Sequence, residues 1–554
     1  MAIHKTKALN LGSLLALVSA LFCGTTAAVA ASCESIAKLA LPNTSITIAA
    51  PVAAGPFRPP PGPPIPRVPE LEQANSWGTA FLPPEPLARV PAYCRVAGVI
   101  QPSSDSHIQF EVWMPISGWN GKFQGVGNGG FAGAISYMAM AVALAHGYAT
   151  ASTDTGHHGS ALDSTWALKH PELVIDFAYR AIHETAAAAK AVIGAFYGEA
   201  PHHSYFNSCS NGGRQALMEA QRFPADYDGI IAGDPGNYWT HILAAGLWDK
   251  QMTLEPGSYI SAAKLPALQA AGLAACDAID GVKDGVIEDP ERCHFDPATL
   301  LCKGPESDAC LTAPQVAALK KLYAGPRNSS GGRILPGYLP GGEAEPDGWA
   351  LWVTGPSPDK GLILSYSTQF FQNMVYENPA WDFRTFDLDR DTQAADRKLG
   401  AIMNATDPDL SRFKDRGGKL IIYHGWSDAA LPALNTVDYY QSVVSKMGPQ
   451  EAGTFIRLFM APGMQHCGGG SGPNGFGMTP GSEGDPLHDI DAAVKHWVED
   501  GVAPQEIIAT KYKIPSKAAS GAARTRPLCP YPQVARWNGT GSTDDAANFT
   551  CGKD

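Results

Sequence analysis

The sequence has no basic stripe, no long internal repeat and, after residue 30, no apolar run long enough to cross a membrane. Its 554 residues carry a formal net charge of −12, and an acidic chain without clustered Lys and Arg argues against nucleic acid as a partner. Hydrophobic residues (45%) and charged residues (17%) are in ordinary globular proportion, whereas glycine (58) and proline (45) are plentiful. This composition predicts a globular protein with many turns and long loops.

The N-terminal segment has the three parts of a secretory signal. Lys5 and Lys7 precede an apolar stretch at 9–22, and the tripeptide Ala-Val-Ala at 28–30 offers a cleavage site. We therefore expect residues 1–30 to be removed and the mature protein to be secreted or periplasmic, with no membrane attachment after cleavage. An uncleaved anchor is the alternative, which the short and interrupted apolar stretch disfavours.

Cysteine usage agrees with export. Of 11 cysteines, Cys23 lies in the predicted signal, and the remaining ten form the even number that a disulfide framework requires. Three couples lie close in sequence: Cys276 and Cys293, Cys302 and Cys310, and Cys529 and Cys551. Reduced buried thiols are the alternative, and spacing alone does not decide connectivity.

Strand-like and helix-like segments alternate in two parts of the chain. The strands, each with the loop that follows it, fall at 107–115, 122–133, 148–157, 203–210, 229–236, 418–428 and 454–467, and the helices at 174–198, 213–224, 434–447 and 489–501. This alternation predicts an α/β fold with a mainly parallel sheet. Residues 238–415 break the rhythm, so we interpret them as an insertion that covers one edge of the sheet, within a main domain of residues 31–237 and 416–554.

The segment FNSCSNGGRQ, residues 206–215, places Ser210 between a predicted strand and a predicted helix. A serine on such a tight turn exposes its hydroxyl above the sheet, at a helix N-terminus that stabilises negative charge. The usual pattern G-x-S-x-G has glycine where this chain has Ser208, so the match is partial. The alternative is a serine that caps an ordinary helix.

Two further polar residues follow later strands: Asp428 follows KLIIY, and His466 follows TFIRLF. Serine, acid and histidine in this order, each after a strand, is the arrangement of the α/β-hydrolases. A serine hydroxyl becomes nucleophilic when a histidine accepts its proton, and an acid orients that histidine. Each residue alone also suits a loop or capping role, but together they predict a catalytic triad of Ser210, Asp428 and His466.

A cysteine adjoins two of these three residues, since Cys209 precedes Ser210 and Cys467 follows His466. If Ser210 and His466 share a hydrogen bond, the Cα atoms of the two cysteines could lie within the roughly 4.4–6.8 Å that a disulfide spans. We therefore predict a Cys209–Cys467 bridge between the two loops. Pairing of each cysteine with another partner is the alternative.

The segments CSNGGRQ, HGWSD, PGMQHC and CDAIDGVKDG together resemble the tannase and feruloyl esterase family of serine esterases, over nearly all of the mature chain. The resemblance implies an α/β-hydrolase core, a large lid-domain insertion that carries calcium, and a disulfide between the two catalytic loops. The other disulfides that it implies are Cys33–Cys94, Cys276–Cys293, Cys302–Cys310 and Cys529–Cys551.

The loop CDAIDGVKDGVIEDPERC concentrates acidic residues between glycines. Asp277, Asp280 and Asp284 supply the oxygen ligands that a hard cation prefers. Val282 stands where an EF-hand would have a carboxylate, so a true EF-hand is not expected. The resemblance implies instead a structural Ca²⁺ bound by these three side chains and by the carbonyls of Val282 and Val286. An acidic solvated turn is the alternative.

The segment GVGNGG, residues 125–130, matches the dinucleotide pattern G-x-G-x-x-G, and Asp154 ends a later strand. A nicotinamide or flavin enzyme is therefore an alternative, although the motif is weak and an exported protein rarely meets free NAD. We favour an oxyanion hole, in which the N–H of Asn211 is one donor and that of Gly129, or else Gly130, is the second.

Together these features predict a secreted serine carboxylesterase that hydrolyses small aromatic esters through an acyl-enzyme. The resemblance implies hydroxycinnamate or gallate acyl groups, on which Trp349, Trp352, Phe370 and Phe371 of the lid could stack, although core packing is their commoner role. One alternative is an MHETase-like hydrolase of terephthalate half-esters, which needs a cation in the lid for the free carboxylate. Another is a calcium-dependent binding protein with an inactive triad.

Overall fold

The computed structural model describes residues 31–58, 60, 89–477, 484–514 and 517–553, and the predicted signal lies outside the described residues. The centre of the fold is a sheet of nine strands. In chain order they are β1 (Thr44–Val52), β2 (Tyr93–Ile100), β3 (Ile108–Pro115), β4 (Lys122–Val126), β5 (Ala149–Thr153), β6 (His203–Cys209), β7 (Gly229–Gly233), β8 (Lys419–Gly425) and β9 (Ile456–Ala461).

The strands are ordered β1-β2-β3-β5-β4-β6-β7-β8-β9 across the sheet. The first three strands run antiparallel to their neighbours, whereas β5, β4, β6, β7, β8 and β9 are parallel to one another. The predicted α/β fold with a mainly parallel sheet is confirmed. Because the parallel strands end at one edge of the sheet, the residues that follow β4, β6, β8 and β9 lie at that same edge.

Ten helices of eight or more residues lie in the described parts of the chain. They are α1 (Tyr137–Ala145), α2 (Ala181–Tyr197), α3 (Asn211–Arg222), α4 (Trp239–Leu254), α5 (Leu265–Cys276), α6 (Ala313–Ala324), α7 (Leu362–Gln369), α8 (Leu388–Ala395), α9 (Ala433–Met447) and α10 (Ile490–Asp500). A π-helical turn, Asp176–Arg180, leads into α2. The four helices that the sequence pattern predicts correspond to α2, α3, α9 and α10.

Helices cover both faces of the sheet, because successive strand residues point to opposite sides. Phe206 and Ile230 lie in the buried cluster that includes α2, α3 and α9. Their neighbours Tyr205 and Ile231 lie in a second cluster with α10 on the other face. Strands that are buried on both faces read as nearly continuous apolar runs, which is the pattern seen in GIIAG and KLIIY.

Between β7 and β8 the chain forms α4 to α8 and no strand of the sheet. The predicted insertion, residues 238–415, falls within this interval, and its limits as a separate domain stay a prediction. Trp349 lies in one buried cluster of the insertion and Phe370 and Phe371 in another, so these three rings are core residues. Trp352 is buried too, but it also lines the pocket described below.

Two small antiparallel sheets follow α10. They are formed by β10 (Ile507–Tyr512) with β11 (Ala522–Leu528), and by β12 (Val534–Trp537) with β13 (Phe549–Gly552). Arg526 of β11 donates a hydrogen bond to the carboxylate of Asp284 in the insertion, and Arg524 lies 3.2 Å from the same oxygen. The C-terminal strands therefore hold the acidic loop of the insertion against the main domain.

Five disulfides lie within the described residues. They are Cys33–Cys94, Cys209–Cys467, Cys276–Cys293, Cys302–Cys310 and Cys529–Cys551. These are the pairings that the sequence and the family resemblance lead us to expect. In the same parts of the chain, no helix has the length and apolar character needed to cross a bilayer.

Candidate active site

Ser210 occupies the turn between β6 and α3. Its backbone has φ 67° and ψ −125°, a left-handed region that residues other than glycine rarely adopt. The turn is held from both sides, because Ser210 N donates to the carbonyl of Gly233 (2.9 Å) and Arg214 N donates to the carbonyl of Ser210 (3.1 Å). The surrounding structure thus maintains a strained backbone that places the hydroxyl at the carboxyl edge of the sheet.

The departure from G-x-S-x-G has a local explanation. A Cβ atom at Gly212 would lie 1.8 Å from Ser208 Oγ, and one at Gly213 would lie 2.3 Å from the carbonyl oxygen of Gly233. The side chain that Ser208 adds to the motif therefore occupies the space that a side chain at position 212 would need. The turn tolerates serine at 208 because position 212 is glycine.

The structure brings Ser210, His466 and Asp428 together. Ser210 Oγ donates a hydrogen bond to His466 Nε2 at 2.9 Å, and His466 Nδ1 donates to Asp428 Oδ2 at 2.7 Å. The other carboxylate oxygen of Asp428 accepts the backbone N–H groups of Ala430 (2.7 Å) and Leu431 (2.9 Å). This is the geometry that prepares a serine for nucleophilic attack.

Charge within this group favours an ionised acid beside a basic imidazole. Burial opposes the ionisation of Asp428, but the charge of His466 and hydrogen bonds from His424 and His466 hold the pKa of Asp428 well below its ordinary value. Burial also lowers the pKa of His466, yet the charge of Asp428 and the hydrogen bond to it outweigh that effect and raise the pKa above its ordinary value. An imidazolium formed by proton transfer from Ser210 is thereby stabilised.

The disulfide between Cys209 and Cys467 joins the two loops that carry Ser210 and His466. Its Cα atoms are 6.0 Å apart, within the range that the sequence argument required. Cys467 itself has φ 63°, so the histidine loop turns sharply directly after His466. The bridge restrains this loop one residue away from each of the two reacting groups.

Two backbone N–H groups beside Ser210 suit an oxyanion hole. Asn211 and Gly130 both line the pocket that contains Ser210, whereas Gly129 is not among its lining residues. The N–H groups of Asn211 and Gly130 have no acceptor among the described residues. The sequence left Gly129 and Gly130 as alternatives for the second donor, and this placement favours Gly130 over Gly129.

Asn128 organises the glycine-rich loop, a role that sequence reasoning missed. Its side-chain amide donates to the carbonyls of Ala134 and Thr153, both at 2.8 Å, and its backbone N–H donates to Gln215 Oε1 at 3.0 Å. Asn211 Nδ2 in turn donates to the carbonyl of Asn128 at 3.3 Å. The loop and the start of α3 are therefore connected by side chains that lie within GVGNGG and SNGGRQ.

Arg214 is a second residue that sequence reasoning missed. Its side chain is fully buried, and burial lowers its pKa to about 9. The guanidinium donates to Asn211 Oδ1 (2.9 Å) and to backbone carbonyls, and it stacks against Trp239, with 5.2 Å between its Cζ atom and the ring centroid. A basic residue in the first turn of a helix was the available signal, because cations are unfavourable at that end unless they have specific partners.

A mostly apolar pocket opens beside Ser210 and His466. Besides the groups already named, it is lined by Gly236, Trp239, Ile242, Leu243, Trp352, Ile363, Tyr366, Ala430 and Leu431, and most of these belong to the insertion. The rings of Trp352 and His466 pack edge to face, with 5.5 Å between their centroids. The lining includes no Lys or Arg, and Trp239 Nε1, which is buried, has no acceptor among the described residues.

The acidic loop of the insertion has the donor types that calcium requires. Asp277 accepts backbone N–H groups of Asp284 and Gly285, both at 3.1 Å, and Asp280 accepts that of Val282 at 3.0 Å. Asp284 is also engaged by the two arginines of β11, and the three carboxylates are not among the described clusters whose ligand atoms all lie within 4.8 Å. The oxygen-only donor set fits Ca²⁺ in kind, and Asp284 is at the same time paired with Arg524 and Arg526.

Asp154, the acid of the dinucleotide alternative, is buried. Its Oδ1 atom accepts the backbone N–H groups of Gln109 (3.0 Å) and Gly156 (2.8 Å). Burial raises its pKa to about 8, against these hydrogen bonds. It stabilises the turn after β5 and is not presented to a ribose.

The sequence and the fold of this chain match those of known proteins. The chain matches the family described as "Tannase and feruloyl esterase" over residues 94–552. It is 44% identical to an uncharacterized esterase of Xanthomonas campestris pv. campestris, over 97% of this chain and 93% of that protein. It is 34% identical to the mono(2-hydroxyethyl) terephthalate hydrolase of Piscinibacter sakaiensis, over 88% of this chain and 89% of that protein. The solved structure of feruloyl esterase B from Aspergillus oryzae has a TM-score of 0.82 and 30% identity, covering 94% of this chain and 99% of that one.

Proposed function

This chain belongs to the tannase and feruloyl esterase family and is a carboxylic ester hydrolase with an α/β-hydrolase core, and on that premise we propose that it cleaves aromatic esters through an acyl-enzyme on Ser210. The observation that carries the proposal is the continuous hydrogen-bonded series from Ser210 Oγ through His466 to Asp428. This series opens onto an apolar pocket built largely from the insertion.

The proposed reaction has two halves. His466 Nε2 takes the proton of Ser210 as Oγ attacks the ester carbonyl carbon, and the carbonyl oxygen becomes an oxyanion facing the N–H groups of Asn211 and Gly130. The C–O bond to the alcohol then breaks, and His466 returns the proton to the leaving oxygen. A water molecule, deprotonated by His466, hydrolyses the acyl-enzyme, and Asp428 orients the imidazole throughout.

The pocket supports an aromatic acyl group that bears a ring oxygen. Trp352, Trp239 and Tyr366 present ring surfaces that suit a flat aromatic group. Trp239 Nε1–H is buried without an acceptor, which costs free energy unless a ligand supplies one. We infer that a hydroxyl or methoxy oxygen of a ferulate-like or gallate-like acyl group accepts this hydrogen bond.

A half-ester of terephthalate is the second candidate, because the hydrolase of Piscinibacter sakaiensis is a relative. Its free carboxylate would require a cation in the acyl pocket. No Lys or Arg lines the described pocket, so the structure favours a neutral acyl group.

We also propose that the protein is exported and that its acidic loop binds Ca²⁺. Five disulfides support an oxidising compartment. Asp277, Asp280 and Asp284, with the carbonyls of Val282 and Val286, would hold the ion, which would neutralise the acidic loop and tie it together. Ester cleavage is assigned to the triad and requires no step from this ion.

The proposed function is tested by Ser210→Ala with methyl ferulate, methyl gallate, chlorogenate and the terephthalate half-ester as substrates. We expect turnover to fall by at least about 10³-fold with the melting curve unchanged, because only the nucleophile is removed. Ser442→Ala, on α9 and outside the pocket, is the matched control and should keep full activity. Mass spectrometry of a quenched parent reaction should find the acyl group on the peptide that contains Ser210. Turnover by Ser210→Ala within a few-fold of the parent overturns the assignment.

A further inference from the structure

A second histidine, His424, and a second carboxylate, Asp234, lie next to the triad. His424 is the sixth residue of β8, and Asp234 directly follows β7. Both side chains have 0% exposure. No step of the ester hydrolysis described above uses either residue, although burying ionisable groups is costly unless they are paired.

His424 contacts the acid of the triad directly. Its Nε2 atom lies 3.2 Å from Asp428 Oδ2, the oxygen that also binds His466, and 3.1 Å from the carbonyl oxygen of Leu431. Both neighbours are acceptors only, so Nε2 carries a proton. The Nδ1 atom lies 2.8 Å from the hydroxyl of Thr436, which accepts a hydrogen bond when Nδ1 is protonated too.

Asp234 approaches the same nitrogen of His424 as Asp428 does, and ligand atoms of Asp234, Asp428 and His466 lie within 4.8 Å of one another. The Oδ1 atom of Asp234 is 3.7 Å from His424 Nε2 and accepts the backbone N–H of Gly425 at 2.9 Å. Its Oδ2 atom lies 3.4 Å from Cys209 Sγ, which is part of the disulfide beside Ser210. Asp234 therefore connects the second histidine with the nucleophile loop.

We propose that His424, as an imidazolium balanced by Asp234, is a positioning residue that holds Asp428 ionised and aims its Oδ2 atom at His466. Two buried carboxylates so close together cannot both stay ionised without a cation between them. With His424 charged, Asp428 has no need to take up a proton and remains an acceptor for His466. The proposal rests on the proposed function of the triad.

The direction of the charge effects supports this assignment. Burial lowers the pKa of His424, but the charges of Asp234 and Asp428 raise it above its ordinary value. Burial raises the pKa of Asp234 to about 7, against the charge of His424. For His466, burial and the charge of His424 lower the pKa, while Asp428 and Asp234 raise it.

Among the described residues, two phenols are the further titratable groups that act on this cluster. Tyr423 lies near Asp234, and Tyr338 of the insertion lies near Asp428. Burial first, and then the nearby carboxylates, raise the pKa of both phenols far above neutrality. Both phenols are therefore uncharged over the pH range in which His466 titrates.

The test is the pH dependence of kcat/KM for His424→Gln and for the double variant His424→Gln with Asp234→Asn. His424→Gln keeps a hydrogen-bond donor but removes the cation, so the carboxylates raise the pKa of His466. We expect the acidic limb of the profile to move up by about one pH unit and kcat to fall roughly tenfold, with KM within about twofold. The double variant removes both members of the pair, and its acidic limb should return towards that of the parent.

Two further variants guard against misfolding and general damage. Thr436→Val keeps the side-chain volume but removes the hydroxyl that faces Nδ1, so it should shift the acidic limb in the same direction by a smaller amount. His183→Gln is the matched control, because His183 binds Asp226 at 2.5 Å in another histidine–carboxylate pair, and neither residue lines the pocket of Ser210. Its pH profile should equal that of the parent.

The inference is overturned if the acidic limb of the kcat/KM profile stays where it is in the parent in His424→Gln and also in Thr436→Val. It is overturned as well if the acidic limb of the double variant lies at higher pH than that of His424→Gln. If His424 had only a structural role, its replacement would lower activity, but the acidic limb of the double variant would not return towards that of the parent. These outcomes are separate from failure of the proposed function, which is judged by turnover of Ser210→Ala alone.

Discussion

Cys209 and Cys467 are covalently joined directly beside two residues that share a hydrogen bond, Ser210 and His466. The histidine loop continues as HCGGGSGPNGFG, whose glycines give it little stiffness of its own. We therefore expect the disulfide to help hold His466 within hydrogen-bonding distance of Ser210.

Replacement of both cysteines by alanine should reduce kcat by well over tenfold in a protein that stays folded at the assay temperature. The free energy of unfolding should fall by at most roughly 5 kcal/mol, the chain-entropy value for a long loop, and four bridges remain. Removal of Cys302–Cys310, which spans only 8 residues of the insertion, is the control and should leave kcat unchanged. Equal kcat values for the two double variants would contradict the role given to the bridge.

Gly212→Ala should disable the enzyme, because the new Cβ atom would lie 1.8 Å from Ser208 Oγ in the turn that carries Ser210. The double variant with Ser208→Gly removes the clashing oxygen and should recover most of the lost kcat/KM. Activity assays paired with melting curves of both variants check this expectation. The explanation for serine at position 208 fails if Gly212→Ala is as active as the parent, or if Ser208→Gly gives no recovery.

Trp239→Phe should reduce the preference for acyl groups that carry a ring oxygen. Loss of one hydrogen bond of about 1–1.5 kcal/mol corresponds to roughly tenfold in the ratio of kcat/KM for methyl ferulate over methyl cinnamate. Trp248→Phe, on the same helix α4 but outside the pocket lining, is the matched control. If the ratio is the same in Trp239→Phe, Trp248→Phe and the parent, the indole N–H does not select the substrate.

Calcium removal should destabilise the protein without changing the triad chemistry. A chelator should lower the melting temperature by several degrees, since a ligand at about 100 times its Kd adds roughly 2.7 kcal/mol, and added Ca²⁺ should restore it. Asp277→Asn should abolish this response, whereas Asp308→Asn, an exposed acid of the insertion, should retain it. An unchanged melting curve after addition of the chelator, together with no metal in elemental analysis, would contradict the predicted calcium site.

The sequence alone determined the parts of this protein that depend on neighbours along the chain. Apolar runs such as GIIAG and KLIIY indicate strands buried on both faces, and the strands they predict are β7 and β8. The order of Ser210, Asp428 and His466 after three such strands was informative because parallel strands end at one edge of a sheet. The Cys-Ser and His-Cys dipeptides then predicted the bridge, on the condition that Ser210 and His466 of the predicted triad share a hydrogen bond.

The tertiary structure decided everything that depends on side chains from distant segments meeting. Four lid aromatics were equal candidates in the sequence, yet of these only Trp352 lines the pocket, because Trp349, Phe370 and Phe371 are enclosed in buried clusters that the insertion forms with the rest of the chain. Gly130 is favoured over Gly129 as the second oxyanion donor because Gly130 lines the pocket and Gly129 does not.

His424 and Asp234 carried no distinctive signal in the sequence, because an isolated His or Asp is common in any chain, and Arg214 had only its place in the first turn of a helix. Their importance follows from burial and from partners on other elements: Asn211 for Arg214, and Asp428 for His424. Strand and helix formation are set by local side-chain patterns, whereas the position of a charge relative to a reacting atom is set by how loops and insertions pack, which no local pattern records.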